Sequence, residues 1–326
     1  MNKFIILTLK SLRMIYTHFN QKSKKTPTCI NDPNKVSQII YEYLTNDKPC
    51  MIARFGSTEL NAITNYRGIK QYKNHYIDFI KGKSPQWWWN PKGLEEIFTC
   101  SGFFPPTPKM VSKFSEMMIN DMPLVDILGS WRPQESYFKE ELKQATFVHL
   151  HLLDPFWSNK TWTQALLGKK VLVIHPFTET IEKQYQLRKY LFKNPNILPQ
   201  FELKTIKAVQ SLGGNNLFKT WFDALQWMKD EMDKIDYDIC LIGCGAYGFP
   251  LAAHAKRKGK KAIHLGGSLQ LLFGIKGKRW EDPLYGVKEW NLPYGSYSSL
   301  FNEYWVNPSS NEKPKNANQV ENGCYW

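Results

Sequence analysis

The first segment with residue types suited to chemistry spans residues 48–63. Its apolar run ends at Arg54, and Glu59 stands in the first turn of a predicted helix that either Ser57 or Thr58 caps. Open α/β sheets bind ligands at the carboxyl ends of their strands. An arginine there suits a phosphate, and a glutamate suits a metal ion or a sugar hydroxyl. The alternative is structural: Glu59 complements the helix dipole and Arg54 pairs with it.

A second segment has the glycine spacing of a phosphate-binding turn. Gly243, Gly245 and Gly248 have the pattern G-x-G-x-x-G between apolar runs at residues 239–242 and 262–265. The order strand, turn, helix and strand predicts one βαβ unit. Backbone N–H groups at such a turn bind a phosphate or diphosphate. No acidic residue ends the second strand, which disfavours a dinucleotide cofactor. Alternatively, the glycines only permit close packing of helix on strand.

Four histidines lie in or at the ends of predicted strands. His149 and His151 alternate with apolar residues in a strand predicted over residues 146–153 and therefore share one face. They lack a clear third ligand for a metal ion. His175 and His264 end two other strands, where each is either a catalytic base or a hydrogen-bonded core histidine.

The composition indicates a globular protein with an anionic partner. The chain has 326 residues, 42% of them hydrophobic, and a net charge of +14. Such a charge fits a nucleotide, a phospholipid surface or an acidic polymer. Motifs of nucleic-acid-binding domains are absent, so we expect no nucleic-acid partner. The six cysteines include no C-x-x-C pair, which predicts reduced thiols without a zinc site.

The amino-terminal residues 4–19 predict a basic amphipathic helix. Ile5, Leu9, Leu12 and Ile15 recur at helical spacing on one side. Basic residues interrupt the apolar run, so the segment is too polar to span a bilayer, and no small-residue cleavage site follows it. The helix either lies on an anionic membrane or docks on the domain.

Strands that alternate with helices predict an α/β domain with a mostly parallel sheet covered on both faces. We expect a helix and linker at residues 1–30, one domain at residues 31–307 and a polar tail at residues 308–326. Residues 70–105 predict an irregular aromatic insertion. The first and last βα turns would both reach the carboxyl edge of the sheet, where Arg54 and the glycine turn would share a cleft.

Two groups of motifs resemble a known family. The sequence RFGSTEL at residues 54–60 resembles the R-F/I-G-D-G-E motif of GT-D type glycosyltransferases. The sequence IGCGAYG at residues 242–248, with HLGG at 264–267 and FGIKGKRW at 273–280, is similar to GT-D-like proteins of bacterial surface-polysaccharide gene clusters. The resemblance covers about residues 35–285. It implies a Rossmann-like fold and a nucleotide-sugar donor such as a UDP-sugar.

The resemblance also implies a divalent metal, Mn²⁺ or Mg²⁺, near an Asp-x-Glu pair. Glu59 takes the place of the family glutamate as metal ligand and catalytic residue, whereas Ser57 stands in the place of the aspartate. Either one carboxylate suffices with diphosphate and water, or basic side chains neutralise the leaving group instead. The implied nucleotide-sugar-binding residues are Arg54, Gly56, Ser57, Gly243, Gly245, Tyr247, Gly248, Lys276, Lys278 and Arg279.

The resemblance implies a glycosyltransferase of surface-polysaccharide biosynthesis, which we expect to be cytoplasmic or peripheral on the inner membrane face. An acceptor hydroxyl of a glycan or lipid-linked acceptor attacks the anomeric carbon, with Glu59 or Asp154 as the base of an inverting reaction. The alternative, which the replacement by Ser57 favours, is a non-catalytic nucleotide-sugar- or glycan-binding protein of the same pathway. A P-loop motif is absent, which disfavours a kinase.

Overall fold

The computed structural model describes residues 2–20, 26–211, 217–314, 317–319 and 323–326. One parallel seven-stranded sheet forms its centre. The strands are β1 (Cys50–Arg54), β2 (Ile127–Ser130), β3 (Thr146–His149), β4 (Lys170–His175), β5 (Glu202–Lys207), β6 (Ile239–Ile242) and β7 (Lys261–His264).

The strand order is β3-β2-β1-β7-β6-β4-β5, and every neighbouring pair is parallel. Ile52 of β1 pairs with Ile127 of β2 on one side and with Ile263 of β7 on the other. The central strands are buried on both faces, which explains why they consist of short continuous apolar runs. The predicted α/β, Rossmann-like fold with a mostly parallel sheet is confirmed.

Helices cover both faces of the sheet. The α-helices of the described residues are α1 (Lys3–Asn20), α2 (Pro33–Thr45), α3 (Ser57–Gln71), α4 (Tyr76–Ile80), α5 (Pro91–Thr99), α6 (Pro108–Asp121), α7 (Thr178–Gln186), α8 (Arg188–Leu191), α9 (Trp221–Asp233), α10 (Gly248–Arg257), α11 (Leu269–Leu272), α12 (Lys278–Glu281) and α13 (Val287–Trp290). Short 3₁₀ turns join several of them.

The alternation of side chains along each strand divides the core into two layers. Met51 and Ala53 of β1 pack with α3, α6, α9 and α10 on one face. Cys50 and Ile52 pack with α2 and α7 on the other face. This is the two-residue period of a strand with helices on both sides.

The chain leaves adjacent strands β1 and β7 toward opposite faces. Leu60 of α3, which follows β1, packs in the first layer. Leu269 of α11, which follows β7, packs in the second. Such a switch point opens a crevice at the carboxyl ends of the strands, where α/β proteins of this type bind ligands.

Two predicted elements have different limits. The strand expected over residues 146–153 ends at His149, and a 3₁₀ turn follows at Leu150–Leu153. This turn places Leu153 over β2, where a Cβ on Gly129 would lie 2.5 Å from the Leu153 Cδ1 atom.

The sequence of residues 215–235 has the apolar spacing of a long amphipathic helix, and the helix observed there is also shorter. It begins at Trp221, because the Thr220 side chain caps it through a reciprocal bond with Asp223. The expected start at residues 215–216 lies outside the described residues.

The aromatic insertion at residues 70–105 contains α4 and α5 and holds α1 on the domain. Leu9 of α1 packs with Phe79, Trp87 and Trp88 in a separate apolar cluster. No helix in the described ranges is both long enough and apolar enough to span a bilayer.

The carboxyl-terminal tail also packs against the domain. The carboxylate of Glu312 is buried and accepts a hydrogen bond from the Glu179 backbone N–H at 2.9 Å and another from the Thr180 hydroxyl. Whether the domain limits expected from the sequence are units of folding stays a prediction.

Candidate functional site

A cavity of about 640 Å³ lies at the carboxyl ends of β1, β7, β6 and β4. It brings together the first βα turn, the glycine turn after β6 and a glycine pair after β7, formed by Gly266 and Gly267. Of the nucleotide-sugar-binding and metal-binding residues that the resemblance implies, those that line it are Arg54, Gly56, Ser57, Glu59, Gly243, Gly245, Tyr247 and Arg279. The cleft expected between the first and last βα turns is therefore present.

Three other predicted nucleotide-sugar-binding residues do not line this cavity. Lys278 is exposed at the start of α12, and the Lys276 Nζ atom lies 5.9 Å from the centre of the Phe301 ring. Gly248 packs under the His264 ring, whose nearest atoms would lie 2.2 Å from a Cβ at residue 248. Close helix–strand packing, one of the two explanations of the glycine pattern, thus accounts for this glycine.

Asp154 is buried behind the cavity rather than on its lining. The Tyr297 hydroxyl donates a hydrogen bond of 2.6 Å to its Oδ2 atom. Burial raises the pKa of this carboxyl to about 6, although the Tyr297 and Ser268 hydroxyls and the charge of Arg54 act in the opposite direction. Asp154 therefore belongs to a buried hydrogen-bond network, and its role as the base stays a prediction.

Glu59 turns back over the start of its own helix. Its Oε2 atom lies where a side chain on Gly56 would be, 1.8 Å from the position of an added Cβ. The Thr58 hydroxyl donates to this oxygen at 3.1 Å and also contacts the Ser101 hydroxyl. Because Gly56, the N-cap residue, has no side chain to cap α3, the carboxylate lies near the positive end of the helix.

Arg54 projects from the end of β1 into the cavity. Its Cζ atom lies 5.6 Å from the centre of the Trp131 ring, and its Nη1 atom would be 3.5 Å from a Cβ on Gly266. Among the described residues it forms no salt bridge, and it is not paired with Glu59. The alternative in which Arg54 forms an ion pair with Glu59 is therefore wrong. The Arg54 guanidinium remains available to an anion.

The glycine turn after β6 presents backbone N–H groups. Gly243 is confined by the Gly266 carbonyl oxygen and the His175 ring, each 2.7 Å from a hypothetical Cβ. Gly245 has a φ of +58°, a conformation that favours glycine. The N–H groups of Cys244 and Gly245 have no acceptor among the described residues, and both residues line the cavity. Such a turn suits phosphate oxygens.

Tyr247 is fixed by two contacts inside the core. Its ring stacks on Trp221 with the ring centres 4.8 Å apart and the planes at 8°. Its hydroxyl shares a hydrogen bond of 2.9 Å with the Ser211 hydroxyl, which donates in turn to the Gly102 carbonyl at 2.7 Å. Both Tyr247 and Ser211 line the cavity, so this pair forms a rigid, polar part of its surface.

His175 also lines the cavity, as a neutral ring. Burial lowers its pKa to about 3, and its Nδ1 atom accepts the Phe177 backbone N–H at 3.0 Å. The neutral ring must then carry its proton on Nε2. His264 is buried beside α10, where burial and the charge of Arg54 lower its pKa to about 3. Neither ring is poised as a base at neutral pH.

His149 and His151 lie with their ring centres 4.5 Å apart, and the ring of His151 stacks on Trp290. Burial lowers the pKa of both, that of His151 to about 4 with a further contribution from His149. The two rings lie together, although His151 belongs to the 3₁₀ turn and not to the strand in which the sequence placed both residues. No cluster of three or more potential metal-ligating His, Cys, Asp or Glu residues occurs in the part of the chain that the structure describes.

Sequence reasoning missed much of the aromatic surface of the cavity. Aromatic side chains that line it are Trp131, Phe177, Tyr247, Tyr285, Trp290, Tyr325 and Trp326. Tyr325 packs against the glycine pair, since its Cε1 atom would lie 2.1 Å from a Cβ on Gly267. The surplus of aromatic residues was the signal in the sequence, but it did not locate them.

Several buried polar atoms around the cavity have no partner among the described residues. They are Gln210 Nε2, Gln270 Oε1, Arg132 Nε and Trp326 Nε1, and all four residues line the cavity. Buried polar groups are normally hydrogen-bonded, so such a concentration indicates a space that a polar ligand or water fills.

Among the described residues, the charged side chains of the lining are three arginines and two glutamates. The arginines are Arg54, Arg132 and Arg279, and the glutamates are Glu59 and the exposed Glu289. Arg279 contacts the Cys324 Sγ atom at 3.1 Å and the ring of Tyr325 at 4.9 Å. A guanidinium group can donate two parallel hydrogen bonds to the oxygens of a phosphate. A cavity lined by several such groups therefore suits a diphosphate.

Within the described residues, the side chains around Glu59 do not form a complete metal site. They offer one buried carboxylate together with the hydroxyls of Ser57 and Thr58. A hard divalent cation takes six or more oxygen ligands and prefers carboxylates. The donor set present therefore does not fit a cation held by the protein alone.

Comparison with known proteins places this site within a family domain. A family model described as a GT-D fold-like domain matches residues 31–272. The match includes the first βα turn, the glycine turn and the glycine pair, and it ends before α12. No curated protein and no solved structure gives a significant match.

Proposed function

The chain belongs to the GT-D fold-like family, and on that premise we propose that it is a glycosyltransferase. The donor is a nucleoside-diphosphate sugar, with a UDP-sugar as the first candidate, and the acceptor is a glycan or a lipid-linked glycan. The setting is the synthesis of a surface polysaccharide on the cytoplasmic side of a membrane.

The proposal rests on one observation. The two predicted βα turns place both anion-binding groups and a carboxylate in a single cavity. Arg54 offers positive charge, and the N–H groups of Cys244 and Gly245, which have no acceptor within the described ranges, offer donors. Glu59 offers a buried carboxylate. A volume of about 640 Å³ lies within the range of small-molecule sites.

The arginines suit the leaving group of a sugar transfer. When the bond from the anomeric carbon to the phosphate oxygen breaks, the nucleoside diphosphate gains negative charge. Fixed donors that face this charge stabilise the transition state more than the ground state. Arg54 and Arg132 come from neighbouring strand ends, and Arg279 faces them from α12.

Glu59 is the candidate to receive the proton of the acceptor hydroxyl. The acceptor oxygen forms a bond to the anomeric carbon, the bond from that carbon to the diphosphate breaks, and the hydroxyl proton passes to the carboxylate. This role applies to an inverting reaction. Of the two glutamates that line the cavity in the described part of the chain, Glu59 suits this role because it is buried, whereas Glu289 is exposed.

If Mn²⁺ or Mg²⁺ binds with the donor, Glu59 and the hydroxyl of Ser57 would contact it, and the diphosphate and water would complete its shell. The cation would supply additional positive charge for the leaving group. The bond changes and the proton transfer to Glu59 do not depend on this cation.

A second candidate function rests on Ser57. A serine beside Glu59 leaves this turn with a single carboxylate, which suits a protein that binds a nucleotide sugar or glycan without transferring the sugar. Binding without turnover would distinguish this function from that of a transferase.

The test combines binding with turnover. The thermal unfolding midpoint is measured with UDP, GDP, CDP and their sugars, with and without Mn²⁺, and release of the nucleoside diphosphate is then followed for the ligand that stabilises most. We expect Glu59→Ala to abolish release while the unfolding midpoint stays near that of wild type. Glu95→Ala, which changes an exposed glutamate of α5, is the matched control.

Stabilisation with release by wild type and loss in Glu59→Ala supports the transferase. Stabilisation without release by wild type supports the binding protein. Near-normal release by Glu59→Ala refutes the assignment of Glu59.

A further inference from the structure

Helix α1 exposes an unusual amount of apolar surface. Phe4, Leu7, Met14 and Phe19 are 75%, 64%, 68% and 79% exposed. Ile5, Leu12 and Ile15 are exposed as well. Isolated apolar side chains on a surface are normal, but seven on one helix, with only Thr8, Ser11 and His18 as polar residues among them, form a concentration that marks an interaction site.

These side chains occupy one side of the helix. With about 100° between successive residues of an α-helix, all seven fall within one half of its circumference. Lys3, Lys10 and Arg13 fall outside that half. The exposed half therefore contains no lysine, arginine, aspartate or glutamate.

The opposite side of α1 is attached to the domain. Leu9 is buried with Phe79, Trp87 and Trp88. The Arg13 Cζ atom lies 4.7 Å from the centre of the Phe79 ring, and its Nη1 atom donates to the Ser84 carbonyl at 3.4 Å. The helix already has its intramolecular partner, so the exposed half needs a partner outside the described domain.

We propose that α1 lies in the interface of an anionic lipid bilayer, parallel to its plane. The exposed half enters the boundary between headgroups and acyl chains, and Lys3 and Lys10 beside it contact anionic headgroups. Charge complementarity supports a lipid partner, because α1 contains no acidic residue and the chain has a net charge of +14. The inference does not depend on the transferase activity.

A second copy of the chain is the competing partner. Pairing of two α1 helices would bring their lysines together with no acidic residue of α1 to oppose them. Like charges at such a contact are unfavourable, whereas an anionic surface attracts them. We therefore assign the face to lipid and test the dimer alongside it.

The test uses the full chain and sedimentation with vesicles of phosphatidylcholine alone or of equal parts phosphatidylcholine and phosphatidylglycerol. Wild type is compared with the triple variant Leu7→Gln, Ile15→Gln and Phe19→Gln. These residues are exposed and glutamine favours helices, so the fold should persist, as circular dichroism and the unfolding midpoint will verify. The matched control replaces Leu167, Leu217 and Leu284, three exposed leucines elsewhere, by glutamine.

We expect wild type and the control to bind the anionic vesicles, more weakly at high salt, and the triple variant to bind at least about tenfold more weakly. Equal binding by the triple variant, or no binding by wild type, would overturn the proposal. A dimer of wild type in lipid-free buffer that the triple variant converts to a monomer would assign the face to a second copy instead.

Discussion

The Glu59 carboxylate fills the space that a side chain on Gly56 would need, with its Oε2 atom 1.8 Å from the Cβ position. Gly56 has φ −71° and ψ 153°, values that alanine adopts without strain. The glycine is therefore required for its missing side chain and not for its backbone freedom. Its absence of a Cβ allows the carboxylate to lie at the start of α3.

This relationship predicts the effect of Gly56→Ala. The added methyl group must displace the Glu59 carboxylate, so we expect release of nucleoside diphosphate to fall by at least about a hundredfold, in line with the loss of a positioned acid–base group. Nucleotide affinity should change much less, because Arg54 stays in place. Turnover and calorimetric titration of the same preparation measure the two effects.

Gly93→Ala is the control, since a Cβ on this helical glycine meets its nearest neighbour at 3.5 Å. If Gly56→Ala keeps wild-type turnover, the position of the Glu59 carboxylate is not important for the reaction.

Asp154 gives a prediction about pH. Its pKa of about 6 in the folded chain exceeds the ordinary value of 3.8, so the folded state binds more protons than the unfolded state between these pH values. The free energy of unfolding should then decrease as the pH rises from about 4 to about 6, by about 3 kcal/mol from this residue. Asp154→Asn, which can still accept from the Tyr297 hydroxyl, should remove that contribution.

Urea unfolding of wild type and Asp154→Asn at several pH values from 4 to 7 measures the difference. A difference between the two proteins that does not change with pH would show that Asp154 titrates normally.

Tyr247→Phe tests whether Tyr247 is chiefly structural. The substitution removes the hydrogen bond to Ser211 and keeps the stacking on Trp221. We expect the free energy of unfolding to fall by about 1 kcal/mol, the net value of such a bond. UDP affinity should change less than threefold, and a much larger loss would mean that the hydroxyl contacts the nucleotide itself. Ser211→Ala, measured in parallel, should destabilise the fold by a similar amount.

The sequence predicted the fold better than it predicted the site. Apolar runs such as Ile239–Ile242 specify buried parallel strands, and the glycines that follow specify a turn at the carboxyl edge. These local signals also located Arg54 and Glu59. The observed ends of some elements differ from the predicted ends where a side chain caps the element. Thr220, which caps the start of α9, is an example.

The rest of the lining depends on contacts between distant parts of the chain. Tyr325 and Trp326 reach the cavity from the carboxyl-terminal tail, and no local pattern indicates this. Lys276 and Lys278 belong to the same basic segment as Arg279, but only the arginine faces the cavity. The direction of each side chain follows from how α12 packs, which spacing alone does not determine.

The central claim is that this cavity binds a nucleoside diphosphate through Arg54, and calorimetric titration with UDP tests it most directly. Wild type should bind UDP, and Arg54→Ala should bind at least about tenfold more weakly, because a hydrogen bond to a charged group contributes about 1.5–3 kcal/mol. Arg188→Ala, an arginine that contacts Gln200 away from the cavity, should bind as wild type does. Equal affinity of Arg54→Ala and wild type, or no binding of UDP, GDP or CDP by wild type, would contradict the claim.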